Sequence, residues 1–217
     1  LINKKNISNI NFNFEINDKN YLLENAKIQH EKIKFSSKKI EVRKENNFFL
    51  IDGDFLSEEV ANNSSLLAFI FKSNLKKLGI DSFNFTTNNN FSFKLSKKIK
   101  ISDLKVDSKI DLKNLIYINN NNFLKKSLAN YNNLIELRDH KIELSYYKKN
   151  LKFKGNGKIM IDNEHDKINY EFQSNNGKYN FKSQIQLINI PFQLKFLNFS
   201  KKKNENSLLE VEGVYNE

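Results

Sequence analysis

The sequence predicts a mostly β fold: an elongated, curved antiparallel sheet or β-groove, built as a partly open barrel or taco, with one or two short helical insertions. Three observations lead there. Apolar residues recur at a period of two along most of the chain. Short polar runs rich in Asn, Lys and Gly separate these segments and read as turns. Only residues 57–78 and 123–137 carry spacing that suits a helix. No linker divides the 217 residues, so 1–217 reads as a single β-rich domain. It starts at Leu1 rather than Met, which fits a fragment of a longer protein.

Ile10, Phe12, Phe14 and Ile16 alternate with Asn and Glu, giving a first strand with one apolar face. Residues 17–20 are a turn. Tyr21 to Ile28 makes a second strand, and Ile33 to Val42 a third. A polar turn at 44–47 leads to Phe48–Phe55, in which Asp52-Gly53 suits either a tight turn or a bulge. Ser57, Glu58 and Glu59 resemble a helix start, with acids near its positive end. Leu67, Phe71, Leu75 and Leu78 then fall at i, i+4, i+3 spacing before Gly79.

Strand periodicity returns at Phe83 and Phe85, with 86–90 as a turn before Phe91, Phe93 and Leu95. After Lys97 and Lys98, Ile99 and Ile101 lead into a longer segment. There Leu104, Val106, Ile110 and Leu112 share one parity, and alternating Asp and Lys share the other. That second parity reads as a solvated face. Leu115–Ile118 is a short apolar patch, and 123–137 a short helical or irregular insertion. Ile142 to Tyr146, Leu151 to Ile161 and Ile168 to Phe172 are further strands. Their turns are at 148–150, 162–166 and 175–177, with Gly157 permitting a bend.

Tyr179, Phe181, Ser183, Ile185 and Leu187 form one parity, and Lys and Gln the other. Near Asn189 the parity changes, and Ile190, Phe192, Leu194 and Phe196 carry the apolar set onward. A bulge would keep one long strand; a tight bend would make two. Leu209 and Val211 enter a last strand. A sheet must bury its apolar face against another layer, against itself, or against a ligand. The two helical stretches are too short to cover every strand. The candidates are therefore a sandwich, a partly open barrel, or a long curved sheet holding apolar ligand chains.

Composition narrows the chemistry. With no Cys, disulfides and thiol chemistry are excluded. No run of 18 apolar residues is present, so the chain does not cross a bilayer as a helix. The net charge of +11 suits an anionic partner, yet Lys supplies nearly all of it, and the two arginines are Arg43 and Arg138. Bidentate reading of bases or phosphates relies on Arg, so no specific nucleic acid is expected. His30, His140 and His165 lie far apart, and Glu164-His165-Asp166 reads as a solvated turn, so no metal is expected. Asp139-His140 reads as a strand-start pair. No phosphate-cradling or nucleophile-elbow motif occurs.

The segments Leu22–Phe55, Ile101–Leu115 and Tyr179–Leu197, successive short strands with a Gly-x-Phe-like step at Gly53 to Phe55, resemble the AsmA-like superfamily of bacterial envelope proteins (the YhdP and TamB type). The resemblance implies a non-enzyme without catalytic residues or cofactors: a repeating β-groove that binds or conducts phospholipid acyl chains. Such a groove supports lipid transport to the outer membrane and envelope integrity. It implies a periplasmic location, inner-membrane anchorage through a segment absent from this chain, and envelope protein partners. The groove lining would fall on Phe12, Phe14, Val106, Ile110, Phe153, Phe181, Ile185, Phe192, Leu194 and Phe196. The competing readings are a structural scaffold with a closed core and, third, a nucleic-acid-binding β domain.

Overall fold

The structure is a computed structural model that describes residues 7–30, 33–61, 79–119, 122–128 and 131–216. The period-two segments become strands in chain order: β1 (Ile7–Asn17), β2 (Asn20–His30), β3 (Ile33–Lys44), β4 (Phe48–Ala61), β5 (Ile80–Ser96) and β6 (Ile101–Ile118). A helix α1 (Asn122–Ser127) follows. Then come β7 (Leu134–Tyr147), β8 (Asn150–Ile161), β9 (Glu164–Asn175), β10 (Lys178–Leu187), β11 (Phe192–Leu194), β12 (Phe199–Lys201) and β13 (Ser207–Asn216). Eleven strands form one antiparallel sheet in the order β1-β2-β3-β4-β5-β6-β7-β8-β9-β10-β13. β1 and β13 each pair on one side only, so the sheet is open rather than a closed barrel or a sandwich. Among the described residues α1 is the one α-helix.

Tight turns set the register between late strands. Lys148-Lys149, Asp162-Asn163 and Asn176-Gly177 each place both central residues at positive φ. That is the primed turn whose twist matches antiparallel strands. The third pair is an ideal sequence for it; the other two adopt it because the flanking pairs Tyr147↔Asn150 and Ile161↔Glu164 are already locked in register.

Several expectations are corrected. Ser57 to Ala61 do not begin a helix: they continue β4, pairing with Asn84 to Thr87. Residues 62–78 of that expected insertion lie outside the described residues. The second insertion is confined to α1, and Leu134–Leu137 belong to β7. Residues 86–90 do not turn but run through the middle of the 17-residue β5. Thr87 and Asn89 are held there by bonds to one another and to β4. Ile99 leaves the strands for an exposed turn at φ 57°. Leu115–Ile118 is no separate patch but the end of the 18-residue β6. Residues 164–166 open β9 rather than completing a turn.

The largest correction concerns the parity change near Asn189. The chain bends after β10 and leaves the main sheet, whose next strand is β13. β11 pairs only with β12, as a two-stranded sheet. Together with α1 this small sheet covers one end of β7–β10 and β13. Leu128, Ile159, Ile161, Ile168, Leu187, Ile190 and Phe192 form its core, and Leu124, Ile135, Leu137, Ile185, Leu194 and Leu209 pack around it. Enclosing each large apolar side chain there contributes roughly 1.5–3 kcal/mol.

A carboxylate fixes the bend. Asp166, almost fully buried, accepts the backbone N–H groups of Ile188, Asn189 and Ile190 at 2.9–3.1 Å. The buried Lys201 ammonium donates to the carbonyls of Ile188 and Ile190. The three-residue bend is thus held from both sides, its N–H groups by an anion and two of its carbonyls by a cation. Left unpaired, those backbone groups could not stay buried.

Candidate functional site

One face of the sheet is charged. Lys154 pairs with Glu143 at 3.0 Å, Lys158 with Asp139 at 3.2 Å, Lys94 with Asp103 at 2.7 Å, and Lys141 with Asp111. These are exposed pairs, each contributing little to stability. They do, however, break the lysine surface into mixed-sign patches. A shallow depression of about 690 Å³ on this face is lined by Asp139, Asn156, Lys158, Lys167, Gln184 and Asn206 among others.

The opposite face is apolar, and the register makes it continuous. Phe14 faces Leu23, then Ile40, Gly53, Phe91, Val106, Tyr146, Leu151, Ser174, Tyr179 and Tyr215 follow strand by strand. This row contains one residue from each of the eleven strands, and at roughly 4.8 Å per step it spans about 48 Å. Every member is half-buried or exposed; none is enclosed. A parallel row runs Phe55, Asn89, Ser108, Leu144, Phe153, Phe172, Phe181 and Gly213. Ring contacts link the two rows. Phe153 stacks on Phe172 at 4.9 Å, Phe172 meets Tyr179 at 6.3 Å, and Tyr179 meets Tyr215 at 5.9 Å. Near the other end Phe35, Phe55, Phe91 and Phe93 form a chain of contacts at 6.0–6.3 Å.

The ten residues expected to line a groove do not share one set of surroundings. Phe14 and Val106 are in the eleven-strand row, and Phe153 and Phe181 in its neighbour. Ile110 lies in a third row with Ile142, Gly155 and Tyr170. Phe12, two residues before Phe14 on the edge strand β1, is 48% exposed. Ile185 shares the sheet but packs against the covered end. Phe192, Leu194 and Phe196 are corrections, because the bend at 188–190 takes them off the sheet. Phe192 is buried in the covering core, Leu194 packs on it, and Phe196 sits in a short 3-10 turn, 75% exposed. The apolar face is therefore closed with protein at one end of its later strands, while every member of the eleven-strand row is half-buried or exposed.

Asp139-His140, expected as a strand-start pair, lies instead in the middle of β7, and His140 belongs to the interior of this face. It is fully buried, stacked on Tyr170 at 5.6 Å between ring centres. Tyr170 Oη lies 3.1 Å from its Nδ1, and the Lys158 carbonyl 3.0 Å from its Nε2. A carbonyl can only accept, so Nε2 carries the proton and the tyrosine hydroxyl donates to Nδ1. Burial pushes the Tyr170 hydroxyl up to about 12, which keeps it a donor. The glycine at 157 makes room: a Cβ there would lie 2.3 Å from His140 Cδ2. A bulge at Asp139, φ 54°, turns the imidazole into this place.

Burial holds the His140 imidazole below its ordinary value, outweighing the opposite pulls of the Lys158 carbonyl and the Asp139 charge. A histidine whose folded value is lowered contributes stability that is complete above its unfolded value, about 6.5. That contribution is lost as pH falls below this value towards the folded one, because the unfolded chain binds the proton more readily. The urea midpoint should be flat from pH 8 to 7 and decline between pH 6.5 and 5. His140→Gln should lower the midpoint at pH 7 and flatten that decline. An unchanged slope in the variant would assign the decline to other groups.

No family model matches the chain, and neither does any curated protein or solved structure.

Proposed function

We propose that the chain is a non-enzymatic element that binds or conducts phospholipid acyl chains along its apolar face, as the resemblance to AsmA-like envelope proteins implies. On this reading it serves lipid movement to the outer membrane and envelope integrity from the periplasm, with envelope protein partners. No helix among the described residues is long and apolar enough to cross a membrane; the inner-membrane anchor of this reading belongs to a segment outside the chain.

One observation carries the reading: an eleven-strand row of mainly apolar side chains in which no member is enclosed by protein. Each methylene withdrawn from water onto such a row gains roughly 0.8 kcal/mol. A sheet of this width accommodates a full acyl chain, since the hydrocarbon core of a whole bilayer is only about 30 Å thick. The exposed aromatic ends, Phe14 and Tyr215, place no charge across that path.

The closed scaffold is the second reading, favoured by the protein core over the ends of β7–β10. The two separate in one experiment. The chain is purified gently, its bound phospholipid is measured, and a phospholipid with a photoreactive acyl chain is crosslinked to it. Labelling of the strand segments around Phe14, Val106 and Phe153 is the expected result. Absence of both co-purified and crosslinked lipid would leave the scaffold.

A further inference from the structure

The sheet ends in two unlike edges. β1 is broken: its pairing with β2 slips between Ser8 and Asn11 and again between Asn11 and Asn13, and Asn9 lies at φ 53°. Irregularities of this kind turn an edge away from a new neighbour. β13 is unbroken. Its residues Ser207–Asn216 pair with β10 in one register without a slip. It carries neither Lys nor Pro, the residues that commonly blunt an edge. Among the described residues no strand pairs with its other side. A regular row of backbone N–H and C=O groups faces outward there. Exposed apolar side chains flank that row on both faces of the sheet. Leu208 and Val214, beside Gln186 and Asn180 of β10, are 62% and 64% exposed; on the opposite face Val211 and Tyr215 are 44% and 63% exposed.

The register adds a series of charges that ends at this edge. Lys109 on β6 faces Glu143 on β7; Lys154, Glu171, Lys182 and Glu212 follow on β8, β9, β10 and β13. All six are exposed, and the sign alternates at every step. Opposite charges on facing positions stabilise neighbouring strands, and like charges oppose them. Each of the four inner members lies between two charges of the other sign. Lys154, for example, sits between Glu171 and Glu143, its ion-pair partner at 3.0 Å. Glu212 has a cation on one side only, and it shares that cation, Lys182, with Glu171. The alternation continues only if a further strand brings a positive charge beside Glu212. Glu210, on the same face of β13, adds to the negative charge of the edge.

We infer that the free edge of β13 receives an extended, antiparallel strand of a partner protein that sets Lys or Arg opposite Glu212. The main-chain ladder supplies affinity, and the side chains on alternate positions supply specificity. Apolar residues of the guest strand cover Val211, Val214 and Tyr215. A second copy is a poor guest: β13 against β13 brings glutamates together, and β1 holds no cation to offer. Acyl chains on the open face and a strand at its edge are separate events, and neither requires the other.

The probe is a fluorescent synthetic peptide with the sequence of β10, Lys178–Leu187, which within the sheet already places Lys182 opposite Glu212. The purified chain is titrated into it and the anisotropy is read. Saturable binding is expected, with amide exchange slowed at alternate residues of β13. Glu212→Lys in the chain should weaken binding about fivefold, the weight of one cross-strand charge pair. The peptide bearing Lys182→Glu should bind the parent chain about fivefold more weakly than the original peptide does. It should bind the Glu212→Lys chain as the original peptide binds the parent, a rescue that a misfolded variant could not give. Absence of saturable binding overturns the inference, as does slowed exchange at β1 instead of β13. An affinity indifferent to the charge at position 212 also overturns it. So does sedimentation of the parent chain alone as a dimer with β13 protected, which would give the edge to a second copy.

Discussion

Asp166→Ala lowers the stability of the chain by about 3–4 kcal/mol, read as a fall in the urea midpoint. The size follows from what the carboxylate holds. It accepts three consecutive backbone N–H groups, those of Ile188, Asn189 and Ile190. Each bond to a charged acceptor contributes roughly 1.5–3 kcal/mol, and three on one residue do not add fully. Ile190 is 1% exposed, so water cannot replace the lost acceptor without opening the core around it. Asp166→Asn retains one oxygen and should cost less than half as much. Amide exchange at 188–190 should accelerate in both variants, and more in the alanine one. A change below about 1 kcal/mol for the alanine variant would mean that packing of Ile190 and Phe192 alone fixes the bend.

The second large effect comes from making one substitution at two of the residues first assigned to the groove. Phe192→Asp should unfold the chain or cost about 4 kcal/mol or more. It places an unpaired carboxylate in the core beneath Leu128 and Ile190 and leaves the volume of a ring unfilled. Phe14→Asp should change stability by less than about 1 kcal/mol, because the ring is 50% exposed on an edge strand. It should nevertheless cut acyl-chain crosslinking at β1 by about tenfold, since a carboxylate under a hydrocarbon chain must lose its water. Midpoints and crosslinking yields measured on both variants decide the matter. If Phe14→Asp also unfolds, or crosslinks as the parent does, the uncovered row is not the binding surface.

The sheet was legible because alternation is a local signal. In Leu104–Leu112 each residue declares its face, and the register then follows from short turns such as Asn176-Gly177. Polar residues on the inner face broke that rule. Thr86 to Asn90 reads as a turn by composition, and its ladder partners on β4 and β6, with the bonds to Ser57 and Phe55, keep it extended. The expected helix start at Ser57 failed for the same reason: Ser57 Oγ is matched to Thr87 rather than to a helix N-terminus.

The fate of Phe192, Leu194 and Phe196 depended on Asp166, 22 to 24 residues before the N–H groups it binds. No local pattern carries such a bond. Parity alone showed that something happens near Asn189. His140 was equally hidden, since its enclosure depends on the missing side chain at Gly157 of the next strand.

Among the described residues the open sheet has eleven strands, and eleven is odd. Direction reverses at every antiparallel step, so the two unpaired edges, β1 and β13, run the same way. Copies stacked edge to edge by simple translation would therefore meet as parallel strands, the less stable ladder. Copies joined through like edges by a two-fold axis normal to the sheet would meet antiparallel, with their apolar faces on the same side, but an axis through Val211 in the middle of β13 sets Glu210 of one copy opposite Glu212 of the other. The parity of the strand count thus opposes growth into an endless fibre, while the glutamates of one edge oppose the symmetric pair.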